Sequence, residues 1–161
     1  MRDDLANAAR SGSLTDVGAT QRGWAIFFAR VVLGLIFGMA GFWKCFTLTP
    51  IGHAQRLFVT PYAETWIPTW LLWASGVTIP VVELFAGWLL VIGWRTRESL
   101  IALGFVLITV TYGHLLKEAL FTPIYHIIPR LGLLLFILMQ PRADDRLSVD
   151  AWLDRRSNRR P

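Results

Sequence analysis

Arg30, Glu83 and Arg130 each stand inside a long apolar run, while His114, Lys117, Glu118 and His126 gather near the ends of two such runs. An ionisable side chain at bilayer depth is costly, so it faces the interior of a helix bundle and takes a partner there. Counting the helical rise from apolar ends at Trp24, Trp94 and Pro141 puts Arg30 about 9 Å in, and Glu83 and Arg130 about 16 Å in. Glu83 and Arg130 then share a level, and Arg30 can reach it along its aliphatic stem. Such a network is either a clamp that fixes which helix faces which, or a charged site for a quinone headgroup, a proton path or an anion. Two arginines against one carboxylate leave one positive charge over.

The second set forms an outer polar site. His114 and His126 fall about 24 and 22 Å from the same side, hence level, with Lys117 and Glu118 beside His114. Level histidines on neighbouring helices could hold a haem or a quinone, or could hydrogen-bond Tyr112, Tyr125 or Glu118; haem is the weakest of these because nothing fixes their facing. His53 lies in a connector and could join this cap. Three scattered histidines and one cysteine make no metal-ligand pattern, so no metal site is assigned. Phosphate-binding, dinucleotide, nucleophile-elbow and zinc-protease motifs are all missing, and neither Ser75 nor Cys45 comes with a base. No catalytic residue is assigned, and the chain does not read as a self-contained enzyme.

The elements that must position these residues are transmembrane helices. The 161 residues are 54% hydrophobic and only 17% charged, outside the range of ordinary soluble domains. Four apolar segments, Trp24–Phe46, Trp70–Trp94, Leu100–Phe121 and Ile124–Gln140, approach the roughly 20 residues that span a bilayer, and none shows the alternation of barrel strands. The expected fold is all-α, an integral membrane four-helix bundle. The fourth segment is short and carries Pro129. Eleven lysines and arginines lie on the side of the two tails and three on the other, so both termini are expected to be cytoplasmic. The net charge of +5 is therefore a topology signal and gives no reason to invoke nucleic acid.

Three regions follow: a polar N-terminal tail, 1–23, without the apolar core of a signal peptide; the transmembrane domain, 24–140; and a basic tail, 141–161. Thr49 followed by Pro50 is a helix start, so the connector between spans one and two is expected to hold a short helix on the outer face, with Ile51, Ala54 and Leu57 on one side. In the C-terminal tail Ser148 can cap a turn that offers Val149, Trp152 and Leu153 to the membrane surface, with Arg155 and Arg156 at the lipid phosphates. Small residues line the contact faces: Gly34 and Gly38 form a GxxxG, and Gly76 and Gly87 share a face with Glu83.

Two stretches, ARVVLGLIFGMAGFWKC at Ala29–Cys45 and VVELFAGWLLVIGWRTR at Val81–Arg97, resemble the DoxX-like family of small bacterial four-span membrane proteins. Arg30, Gly34, Gly41 and Lys44 match its first-span pattern; Glu83, Gly87, Gly93 and Arg97 match its second. The stretch YGHLLKEALFTPIYHIIPRLGLLLF, Tyr112–Phe136, is similar to a subgroup with a histidine late in span three and His-x-x-Pro-Arg in span four. The resemblance implies a location in the bacterial inner membrane and a non-catalytic or quinone-associated subunit of a membrane redox assembly, with other membrane subunits or a second copy as partners besides lipid. A small transporter or anion- and proton-binding protein, and a purely structural subunit, are the other readings of the same residues.

Overall fold

The computed structural model describes residues 2–118 and 126–157, with side chains from residue 18 onward. Among them the chain is all-helical. In order come α1 (Arg2–Phe46), α2 (Pro50–Ala54), which runs into a wider π turn (Gln55–Val59), α3 (Thr69–Ile92), α4 (Thr96–Lys117), α5 (Ile127–Met139), a 3-10 turn (Arg142–Asp144) and α6 (Val149–Ser157). Three stretches are long and apolar enough to cross a membrane: Gly18–Phe46 of α1, α3 and α4. Large apolar side chains such as Phe28, Trp43, Phe85, Phe105 and Ile108 point outward from them, as a lipid surround requires.

The fourth apolar helix is shorter than the sequence suggests. α5 has 13 residues, about 20 Å of rise against some 30 Å of hydrocarbon. Pro129 is tolerated in the first turn of a helix, where its missing N–H costs nothing, and α5 begins two residues before it. Ile124 and Tyr125, at the expected start of this span, and Ala119–Phe121, at the expected end of the third, lie outside the described residues. At the N-terminus the helix runs through the polar tail from Arg2, where Ala, Leu and Arg are good helix formers.

The frame is set by α1 against α3, which pack antiparallel and closely. A Cβ on Gly34 would stand 2.9 Å from the Val91 nitrogen, one on Gly87 2.3 Å from the Gly38 nitrogen, and one on Gly41 2.3 Å from the Leu84 nitrogen. Each pair is backbone against backbone, so only glycine fits. The three contacts fix one register: Gly34 faces Val91, Gly38 faces Gly87 and Gly41 faces Leu84. Around this seam Ile26, Leu33, Phe37, Leu90, Leu103 and Leu134 form a core shared by α1, α3, α4 and α5.

The register yields a first prediction. Gly87→Ala should lower the unfolding midpoint in detergent, at a cost of about 1–3 kcal/mol for an overpacked contact. Gly132→Ala, where a new methyl meets no atom within 4 Å, should not. Equal midpoints for the two variants would contradict the α1–α3 seam.

Candidate functional site

The register decides which charges meet. Extending it along the two helices puts Lys44 level with Val81 and Arg30 level with Arg95, so Arg30 and Glu83 are about 12 residues, or some 18 Å, apart along the axis. Glu83, 4% exposed, is held by Lys44 at 2.5 Å. The expected joint network of Arg30, Glu83 and Arg130 is therefore not formed. Arg130 is half-buried and sets its guanidinium over the Phe37 ring, 5.6 Å from the centroid. The depth count fails because Trp24 does not mark the end of the bundle; it lies about two and a half turns past the level at which α3 ends.

Arg30 is fully buried and satisfies that end of the bundle. Its Nη1 donates to the carbonyls of Leu90 and, at 2.9 Å, Val91, in the last turn of α3, and its Nη2 donates to the Leu147 carbonyl at 2.9 Å. Its Nε lies 3.4 Å from Asp145 Oδ2. Terminal carbonyls of a helix lack intrahelical donors and carry the negative end of its dipole, so a buried guanidinium is a strong cap there. The chain turns away at Gly93, whose φ of +73° suits glycine. A Cβ at Gly93 would also stand 2.6 Å from Arg30 Nη1.

The same end holds an interaction that the sequence reading missed. Asp150 of α6 accepts from the backbone N–H groups of Arg95 and Thr96, both at 2.9 Å, and so caps the start of α4 from another part of the chain. Its own N–H donates to the Gly93 carbonyl at 2.9 Å. Ser148 caps α6 as its position suggests, accepting from the Ala151 N–H at 3.2 Å. The C-terminal segment is thus built into the fold rather than only laid on a membrane surface. A trans-acting cap leaves no local signal, because Arg95, at the cap position itself, offers no suitable side chain.

At the opposite end a cavity of about 310 Å³ is lined by Lys44, His53, Tyr62, His114 and Lys117, among others. His114 and Lys117 were expected in a polar site, and here they are joined by Lys44 from α1 and His53 from α2. Glu118 and His126 do not line it: Glu118 is the exposed C-cap of α4 and His126 the exposed N-cap of α5. Among the described residues no group of three His, Cys, Asp or Glu side chains is arranged to hold a metal.

Helix chemistry positions each wall. Thr49 starts α2 by accepting from the Gly52 N–H at 3.1 Å, ahead of Pro50. His53 and Ala54 are the buried face of this helix, whereas Ile51 and Leu57 remain exposed, so the expected Ile51–Ala54–Leu57 face is only partly the packed one. His53 Nδ1 donates to the Gly76 carbonyl at 2.7 Å. That carbonyl is the one Pro80, four residues on within α3, cannot serve because proline has no N–H. His53 thus fills the gap that Pro80 opens. His114 Nδ1 likewise lies 2.7 Å from its own helix carbonyl at Val110. A carbonyl only accepts, so each ring carries a proton on Nδ1, and a neutral ring then has Nε2 as its acceptor nitrogen.

Tyr62 lines the cavity as well. Its hydroxyl donates to the Gly113 carbonyl at 2.8 Å, and Lys117 Nζ stands 5.4 Å from its ring centroid. Burial pushes the phenol above its ordinary range, which keeps the donor protonated. Tyr62 also belongs to a second hollow of about 270 Å³, walled by Phe58, Trp66, Ile67, Leu71 and Tyr112. A cationic chamber and an apolar groove thus share one wall. No protein-family model, curated protein or solved structure matches the chain.

Two outcomes test this end of the bundle. His53→Phe should cost about 1–3 kcal/mol by stranding the Gly76 carbonyl, and the loss should shrink on a Pro80→Ala background, where the helix regains its own N–H. Additive effects in that double-mutant cycle would refute the pairing. Burial also lowers the pKa of His53 below its ordinary value, outweighing the opposite pull of the Gly76 carbonyl. The folded state then binds fewer protons than the unfolded one. His53's contribution is full above the unfolded value near 6.5 and is lost as pH falls through the folded value. Melting in detergent should therefore show a drop from pH 7.5 to 5.5 that is smaller in His53→Gln, and an equal drop in the two proteins would exclude His53 as its source.

Proposed function

We propose that the chain is a four-span protein of the bacterial inner membrane, DoxX-like in plan, with both termini cytoplasmic and α2 on the outer face. In this reading α5 completes the fourth span, and the cavity at the Lys44 end binds the headgroup of a quinone-class ligand. The protein acts as a non-catalytic, quinone-associated subunit of a membrane redox assembly.

The observation that carries the reading is the junction of the two hollows at Tyr62. A quinone has carbonyl oxygens that accept hydrogen bonds and an apolar tail that must stay out of water. Lys44 and Lys117 supply donors, Nε2 of a neutral His53 is an acceptor suited to a hydroxyl of the reduced form, and His114 adds a polar wall. The groove of Phe58, Trp66, Ile67 and Leu71 takes the first part of the tail. Glu83 holds Lys44 in place without entering the lining. A second reading, a binding site for a small anion, draws on the same two lysines and lacks a use for the apolar groove.

The test is solvent extraction of protein purified in mild detergent, followed by mass spectrometry, with quenching of tryptophan fluorescence by an added short-chain quinone. The expected result is saturable quenching, weakened at least about tenfold in a His114→Ala, Lys117→Gln variant that still melts like the parent; loss of two good hydrogen bonds is worth that much. No saturable binding, or binding untouched by the variant, overturns the proposal. Flux of a small anion in liposomes without quinone binding moves the second reading to the front.

A further inference from the structure

Residues 142–157 carry four arginines, Arg142, Arg146, Arg155 and Arg156, and four aspartates, Asp144, Asp145, Asp150 and Asp154, so by composition the segment is neutral. The fold separates the two signs. Asp145 and Asp150 are each 8% exposed and turned inward, one beside Arg30 and the other on the start of α4. Asp144 is held by Arg22 at 3.0 Å. Of the four acids only Asp154 remains well exposed, 3.8 Å from the equally exposed Arg142. The outer surface of the segment therefore presents four cations against one anion.

These cations are grouped rather than scattered. Arg142, Arg146 and Arg155 line an open hollow of about 430 Å³ together with Ala143, Ala151 and Asp154. Arg155 donates to the backbone carbonyl of Arg146 at 3.3 Å, which holds its side chain against the segment that carries Arg146. On other faces of α6, outside the lining of the hollow, Trp152 and Leu153 are 52% and 41% exposed, and Arg156 lies over the Trp152 ring at 5.3 Å. The hollow also has a definite level. Asp150 is bonded to Gly93, Arg95 and Thr96, which end α3 and begin α4, so the segment lies where two apolar helices leave the hydrocarbon.

We propose that Arg142, Arg146 and Arg155, flanked by Trp152, form a binding site for the phosphate headgroup of an anionic membrane phospholipid. Planar guanidinium groups pair with phosphate oxygens in a bidentate way, and an indole at the headgroup boundary has an apolar body and a polar edge. A soluble acidic partner would satisfy the arginines but leave Trp152 and Leu153 in water. This site is at the opposite end of the bundle from the cavity and is independent of what that cavity binds.

The full-length protein in detergent should be offered equimolar dioleoylphosphatidylglycerol and dioleoylphosphatidylcholine, with the retained lipid counted by native mass spectrometry. A basic residue near an anionic headgroup is worth about fivefold in binding, so the parent should prefer the anionic lipid by at least about tenfold. Arg142→Gln, Arg146→Gln and Arg155→Gln combined should bring the ratio close to one, whereas the three Arg→Lys changes should keep a clear preference. Asp154→Asn removes the outward acid and should raise the preference a few-fold, a gain that misfolding does not produce. A parent ratio near one, a ratio unchanged in the glutamine variant, or displacement of the bound lipid by an equal concentration of an acidic peptide would each overturn the proposal.

Discussion

The contact on which the rest depends is the approach of α1 to α3 through glycine. Because Gly34, Gly41 and Gly87 each lie against backbone of the facing helix, a shift of register would bring larger side chains into contacts that have no room for a Cβ. One register then assigns every polar group on either helix a level and a neighbour. Lys44 comes within reach of Glu83, and Arg30 is carried to the end of α3. In lipid there is no water to exclude from between apolar helices, so close packing of this kind supplies much of what holds them together.

Given that register, the polar side chains are spent mainly on backbone groups that the helices leave unsatisfied. Arg30 caps the carbonyl end of α3, Asp150 caps the amide end of α4 and His53 serves the carbonyl that Pro80 leaves without a donor. Each is a place where an α-helix ends or is interrupted. In each the group is buried in the protein, where leaving it without a partner would be costly. Lys44 with Glu83 is the ion pair that joins two long apolar helices among the described residues. It also places an ammonium group, with its charge largely compensated, on the wall of the cavity.

Much of this plan was legible in the sequence, and the parts that were not share a cause. Apolar runs set the helices, Thr49 with Pro50 set the start of α2, and Ser148 set the cap of α6, because each is a local signal. The glycines that form the seam were also visible, but the antiparallel register between them was not, since spacing within one helix says nothing about the offset of another. Counting depth from Trp24 misplaced Arg30 for that reason and gave Glu83 the wrong partner. His114 and Lys117 were recognised as neighbours on one helix; Lys44 and His53 could join them only once α1 and α2 were in place. Asp150 gave no sign of its role, because the amides it serves lie 54 and 55 residues away.

The two ends of the bundle consequently differ in kind, although both are rich in cations. At the Arg30 end the acids of the C-terminal segment are taken up, Asp150 by the start of α4, Asp145 by Arg30 and Asp144 by Arg22. At the Lys44 end the caps come from side chains that keep a second functional atom: a histidine that donates through Nδ1 still has Nε2, and a lysine paired with one carboxylate still has two further N–H bonds. The cavity beside Lys44, His53, His114 and Lys117 accordingly draws its polar groups from α1, α2 and α4. At the Arg30 end the buried acids face Arg30 and the start of α4, while the arginines of the C-terminal segment stay on the outer surface.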